Sequence, residues 1–163
     1  MRDVNGGLHS QNEWAHARAV VLYFVTTDCP VGNAYAPEMN RIDTAYTPRG
    51  VQFYAVQGDT TIPDAQVRQH AKDYAYLFPV LLDPQMILAR HTGATTMPEA
   101  VVMSPEGAVL YAGRIDNRVV DFGKARLRAT EFDLRDALDA VLAGRPVPHP
   151  RTPAIGCAIT NGH

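Results

Sequence analysis

Residues 19–25 read Ala-Val-Val-Leu-Tyr-Phe-Val, an apolar run without a polar break. A run this rich in β-branched and aromatic side chains is a strand buried on both faces, and such a strand needs a layer of structure on each side of its sheet. It stops at Thr26-Thr27-Asp28, and Cys29 follows, then Pro30, then a segment of helical character. A cysteine at that junction sits at a helix N-terminus, where backbone N–H groups and the helix dipole favour the thiolate. Pro30 suits the first helical position, where a missing N–H costs nothing. A free cysteine is otherwise a small buried hydrophobe. The strand–Cys–Pro–helix setting favours the reactive reading.

The rest of the composition narrows the class. A chain of 163 residues forms one domain that buries roughly 70% of its unfolded surface. A net charge of −2 gives no electrostatic case for nucleic acid or an anionic membrane. No apolar run approaches the roughly 20 residues of a membrane-spanning helix. The first residues, Met-Arg-Asp-Val-Asn-Gly-Gly, contain no apolar signal-peptide region. The expected compartment is therefore cytoplasmic as written, or periplasmic or extracellular if a leader is missing from this sequence. Two cysteines exclude a disulfide-rich scaffold and allow one internal bridge, Cys29 to Cys157.

In chain order, Asn5-Gly6 signals a hairpin, and Ser10 is positioned to cap a short turn through Trp14. The first strand covers about 18–26. A helix over about 30–47 buries Tyr35, Met39, Ile42 and Tyr46 at helical spacing, with a kink expected at Pro37. A strand at 51–56, a helix at 64–76 and a short strand at 79–82 follow. Asp83 is expected to cap a helix that begins at Pro84. A strand at 100–103 turns through Ser104-Pro105-Glu106-Gly107 into an antiparallel strand at 108–113. Residues 114–130 are polar and irregular. A helix at 132–143 turns Leu134, Leu138, Val141 and Leu142 inward. The order β-α-β-α-β-α-β-β-α predicts parallel strands first and an antiparallel edge later.

That order, with Cys-Pro at the first strand–helix junction and Met-Pro before the hairpin, resembles the thioredoxin fold. More closely it is similar to the redoxin branch: the alkyl hydroperoxide reductase/thiol-specific antioxidant and TlpA-like thiol oxidoreductase proteins. The residues that carry the resemblance are Asp3-Val4-Asn5-Gly6, Phe24 to Pro30, Phe78 to Asp83, Gly93 to Ala100, Gly107 and Gly113 to Asp116. It implies a three-layer α/β sandwich with a mixed central sheet flanked by helices and an N-terminal hairpin extension. It also implies that Cys29 is the redox-active cysteine and that Pro98 is a cis-proline facing it. A cis X-Pro bond lets the backbone lie against the sulfur and pair with an extended substrate. Met97, Pro98, Pro30 and Arg114 are the expected substrate-binding residues.

The departures are as informative. Thioredoxins carry C-x-x-C, but Gly32 stands at the second cysteine position here. Peroxiredoxins carry P-x-x-x-T-x-x-C; Thr26 matches the threonine, and Leu22 stands where the proline belongs. Thr26 is thus either a catalytic hydroxyl or ordinary end-of-strand polarity. The missing resolving thiol points to Cys157, carried on a proline-rich arm that can cross a surface. Gly156 allows a close backbone approach, and Ile155 and Ile159 give the arm a reason to dock. A bridge closing so long a loop would add up to about 5 kcal/mol in the loop-entropy account.

The expected organisation is a redoxin domain over 1–145 and a tail over 146–163. The expected function is a thiol-disulfide oxidoreductase with Cys29 as nucleophile and Cys157 as resolving cysteine, acting on protein thiols or disulfides and needing no cofactor or metal. Its external reductant is not legible. One alternative is a peroxide reductase. Another is a non-catalytic module that binds a partner, or binds copper through Cys29, Cys157 and His149; His9, His16, His70 and His91 show no metal spacing. Asp28 beside the sulfur either opposes a thiolate or is a turn residue. Arg114 and Arg118 either stabilise a thiolate or are solvated or paired with Asp116 and Asp121.

Overall fold

The computed structural model describes residues 1–159; the last four residues of the expected tail, 160–163, lie outside the described residues. The central sheet has the strand order β3-β2-β1-β5-β6, with β1 at Ala19–Val25, β2 at Val51–Gln57, β3 at Val80–Leu82, β5 at Glu99–Met103 and β6 at Val109–Gly113. A short strand, β4, occupies Thr96–Met97. Strands β1, β2 and β3 are parallel, and β5 runs antiparallel to both β1 and β6.

The apolar run Ala19–Val25 is the middle strand, and every residue of it is buried. Its side chains alternate between two cores. Ala19, Val21, Tyr23 and Val25 pack with α1 (Pro30–Tyr46), through Tyr35, Met39, Ile42 and Tyr46, and with α4 (Asp133–Leu142), through Leu134 and Leu138. Val67 of α2 (Asp64–Asp73) joins the same cluster. Val20, Leu22 and Phe24 pack on the other face with Ala89 of α3 (Ile87–Thr92), Ala94 and Met97. Burying apolar side chains on both faces is what makes the arrangement a three-layer α/β sandwich.

As the sequence places it, Pro37 lies inside α1, on its exposed side, and the helix runs on to Tyr46. Other local expectations shift. Asp83 does cap α3, but the helix starts at Ile87 rather than Pro84. Met86 adopts a left-handed backbone, φ 55°, and the Asp83 carboxylate then accepts from the amides of Ile87 (2.8 Å), Leu88 (3.0 Å) and Ala89 (3.2 Å). Ser10 precedes the turn Gln11–Trp14 without a side-chain cap. The N-terminal hairpin is one antiparallel bridge, Arg2 to Leu8, and its first arm lies on β3 through an Asp3–Leu81 bridge. Residues 114–130, read as irregular, hold a small hairpin of β7 (Val119–Asp121) and β8 (Lys124–Ala125).

The chain after α4 is ordered by the sheet. It runs along the free edge of β6: the Ala112 amide donates to the Pro150 carbonyl (3.0 Å) and the Thr152 amide donates back to the Ala112 carbonyl (3.2 Å). Gly113 permits this approach. Its φ is +155°, and a Cβ there would lie 2.5 Å from the Thr152 carbonyl oxygen and 2.9 Å from its amide. Beyond it, β9 (Cys157–Ala158) pairs antiparallel with β4.

Candidate active site

Cys29 is the N-cap of α1, with an extended backbone, and Pro30 follows as the exposed first helical residue. The sulfur is buried and receives no cap hydrogen bond from the helix; it donates instead to the Met97 carbonyl at 3.3 Å. The expectation that helix amides point at this sulfur is therefore corrected: the thiol proton is directed at the carbonyl acceptor opposite it. The Met97–Pro98 peptide is cis, and both residues are buried.

Cys157 reaches the same place from the far end of the chain. In the β4–β9 ladder it is the register partner of Met97, and Ala158 is the partner of Thr96. The Ile159 amide donates to the Thr95 carbonyl at 2.9 Å. Gly156 lies against the Met97 carbonyl so closely that a Cβ would overlap its oxygen and stand 2.8 Å from Pro98 Cδ. Burial, together with a hydrogen bond to Cys29 and the charge Cys29 can carry, pushes the Cys157 thiol up to about 11. Both sulfurs are free thiols.

The loop carrying Cys29 is held by a polar network. Asn33 Nδ2 donates to the Thr27 carbonyl (3.1 Å), and its Oδ1 accepts from His70 Nε2 (2.7 Å). Thr27 Oγ1 accepts from Gln66 Nε2 (3.3 Å) and donates to Asp28 (2.9 Å). Burial holds the His70 imidazole below its ordinary value, against the opposing pull of the Asp73 and Asp28 carboxylates, so the ring is neutral and donates. Tyr23, fully buried, donates to the Gly32 carbonyl at 3.0 Å and anchors the other side of the turn. Asn33 and His70 carried no motif. The available signal was a polar side chain in the first helical turn, with a histidine on the inward side of the next helix.

The remaining candidates fall elsewhere. Thr26 is buried at the end of β1, and its hydroxyl accepts from Gln57 Nε2 at 3.4 Å. Arg114 borders a small recess with Tyr35, Pro98, Pro153 and Ile155, but its guanidinium is held by Asp133 (2.6 Å) and Glu131 (2.5 Å). Arg118 pairs with neither Asp116 nor Asp121 through its side chain: it donates to the Ala34 carbonyl (2.9 Å) and lies over the Tyr35 ring. Asp116 accepts instead from the Tyr35 hydroxyl at 2.6 Å and from the Arg118 amide at 2.8 Å. His149 is exposed, and among the described residues no three His, Cys, Asp or Glu side chains gather where a metal ion could be held. None of the described helices is long and apolar enough to cross a membrane.

Comparison with known proteins agrees with this geometry. The thiol-disulfide oxidoreductase ResA of Bacillus thuringiensis subsp. konkukian is 28% identical over 93 residues, which is 57% of this chain and 53% of ResA. The chain thus spans about half the length of the curated relatives it matches. A hypothetical protein from Sinorhizobium meliloti 1021 superposes with a TM-score of 0.85 at 28% identity, over 99% of this chain and 91% of that one. A thiol:disulfide interchange protein of the thioredoxin family from Chlorobium tepidum TLS superposes with a TM-score of 0.64 at 20% identity, over 87% and 91% of the two chains. That last likeness identifies the fold as thioredoxin-like. The AhpC/TSA family model matches residues 1–112, from the N-terminal bridge through the cysteine loop and the Met97-Pro98 turn into β6, and with most of its length accounted for in this way the chain belongs to the AhpC/TSA family.

Proposed function

We propose that this protein is a thiol-disulfide oxidoreductase acting on thiols or disulfides of other proteins, with Cys29 as nucleophile and Cys157 as resolving cysteine. The observation that carries the reading is that Met97 holds both cysteines: its carbonyl accepts from Cys29 Sγ at 3.3 Å and it is the register partner of Cys157, which the sequence separates from Cys29 by almost the whole chain. We further read 1–145 as the redoxin domain and 146–163 as the arm that delivers the second thiol.

In the reducing direction, the Cys29 thiolate attacks one sulfur of a substrate disulfide. A Cys29–substrate disulfide forms, and the other substrate sulfur leaves as a thiolate that takes up a proton. The Cys157 thiolate then attacks Cys29 Sγ, forming the Cys29–Cys157 disulfide and releasing the second substrate thiol. The substrate gains two electrons and two protons, and the enzyme awaits an external dithiol. Met97 faces Cys29 through its carbonyl, Pro98 and Arg114 border the small recess beside it, and Pro30 sets the start of the helix.

Non-reducing peptide mapping after mild oxidation tests this directly. A Cys29–Cys157 linked peptide is expected, and Cys157→Ser should accumulate a mixed disulfide between Cys29 and a peptide substrate. Absence of both overturns the reading. Peroxide reduction has less support, because the guanidiniums of Arg114 and Arg118 are already engaged by protein oxygens. Stopped-flow peroxide consumption well above that of free cysteine would reverse the order of the two readings.

A further inference from the structure

With the tail seated, Cys29 has 0% exposure, so no molecule from solution can touch its sulfur. The partner strand of β4 is then β9 of the same chain. Yet β9 is two residues long. So short a ladder opens readily. The contact is also selective. The residue before Cys157 presses on the Met97 carbonyl and Pro98 Cδ with no room for a Cβ. The residue after it, Ala158, is exposed. Ile159 reaches back to Gly58, where a Cβ would sit 3.4 Å from Ile159 Cγ1 and 2.5 Å from Met97 Sδ.

We propose that the tail strand 155–159 is a displaceable resident of a docking edge for extended polypeptides whose reacting cysteine is directly preceded by glycine, and that it must leave β4 before Cys29 meets an external substrate. This rests on Cys29 being the reacting thiol. A strand entering in the tail's register puts its cysteine opposite Met97, beside Cys29, and the glycine is the condition for seating. The tail is then both competitor and second reactant: it yields the edge to a substrate strand and returns to resolve the mixed disulfide.

The test uses full-length chains and two peptides, Ile-Gly-Cys-Ala-Ile and Ile-Ala-Cys-Ala-Ile, each as a mixed disulfide with 5-thio-2-nitrobenzoate. Cys29 attacks the peptide sulfur, the Cys29–peptide disulfide forms, and the coloured thiolate leaves. Cys157→Ser alone keeps the tail seated and should react slowly with both peptides. Adding Gly156→Ala unseats the tail; the glycine peptide should then react about ten-fold faster or more, and outpace the alanine peptide by a similar factor, since a core overlap of this kind is worth at least that much. Ile159→Pro with Cys157→Ser removes the amide that donates to Thr95, and provides the same comparison should the Gly156 variant misfold. Equal rates for the two peptides, or no gain on unseating the tail, overturn the proposal. A Cys29–Cys157 bridge in the unaltered protein would in that case still stand, so the two readings fail separately.

Discussion

Met97 serves both cysteines: its carbonyl accepts from Cys29 Sγ at 3.3 Å, and its backbone is the antiparallel register partner of Cys157. The two thiols meet because one backbone segment holds each of them. Tail seating, thiol ionisation and disulfide formation are therefore linked, and perturbing one should register in the others.

The first consequence is an alkaline transition. Folding pushes the Cys157 thiol from an ordinary value of 9.0 up to about 11, through burial and then through Cys29. A thiol that ionises less readily when folded contributes its stability in full below the ordinary value. That contribution is lost as the pH rises from there towards the folded value. The thermal midpoint of the reduced protein should thus fall more steeply between pH 9 and about 11 than that of Cys157→Ser. Parallel slopes in a differential scanning series would refute it.

Gly32 offers a second test. A Cβ at this position would stand 3.9 Å from Cys29 Cβ and 4.0 Å from Pro98 Cδ, both ordinary contacts. Disulfides span Cβ separations of about 3.5–4.5 Å. Gly32→Cys should therefore let the introduced thiol close a bridge to Cys29 without rearranging the loop. In the Cys157→Ser background it should restore multiple turnover with a peptide disulfide, moving the resolving thiol from the tail to the helix. A background that stays arrested as the mixed disulfide would show that the separation is not enough.

The tail can also be disturbed upstream. Gly113 admits Thr152 against the β6 edge, and a side chain there would meet the Thr152 backbone at 2.5 and 2.9 Å. The threonine hydroxyl is also tied in, at 2.7 Å from the Tyr111 hydroxyl and 3.0 Å from the Arg114 amide that donates to it. Gly113→Ala should cost about 1–3 kcal/mol from the overlap. It should also raise the alkylation rate of Cys29 and slow closure of the Cys29–Cys157 disulfide. Unchanged thiol kinetics at reduced stability would mean that the Pro150–Thr152 contact with β6 does not govern seating of β9.

Both the successes and the misses of the sequence have local causes. Strand β1 was legible because burial on both faces leaves an unbroken apolar run, and the Cys29-Pro30 junction because helix starts have their own chemistry. Docking of the tail was legible from Ile155, Gly156 and Ile159, residues that a solvated terminus has no use for. The start of α3 was misplaced because an aspartate announces a cap without saying how far the chain turns first; Met86 in the left-handed region delays the helix by three residues. The charged partners of 114–130 were hidden for a different reason. Arg114 had nearer carboxylates in sequence than Asp133, and Arg118 chose a carbonyl and a ring over Asp116. Such choices depend on which elements the fold brings together, and no spacing encodes them.

The support beneath the Cys29 loop provides the last test. Asn33 donates its amide N–H to the Thr27 carbonyl and accepts at its Oδ1 from His70 Nε2, so one side chain ties α2 to the turn. Asn33→Ala leaves a buried imidazole N–H and a loop carbonyl without partners, which should cost about 1–3 kcal/mol. The acid side follows from the same contact. Burial holds His70 below its ordinary value of 6.5, so folding favours the neutral ring. A histidine of this kind contributes its stability above the ordinary value and loses it as the pH falls from there through the folded value. The reduced protein should lose stability as the pH falls below 6.5, and His70→Gln, which keeps a donor for Asn33 without titrating, should flatten that decline. A His70→Gln profile as steep as that of the unaltered protein would place the acid sensitivity elsewhere in the fold.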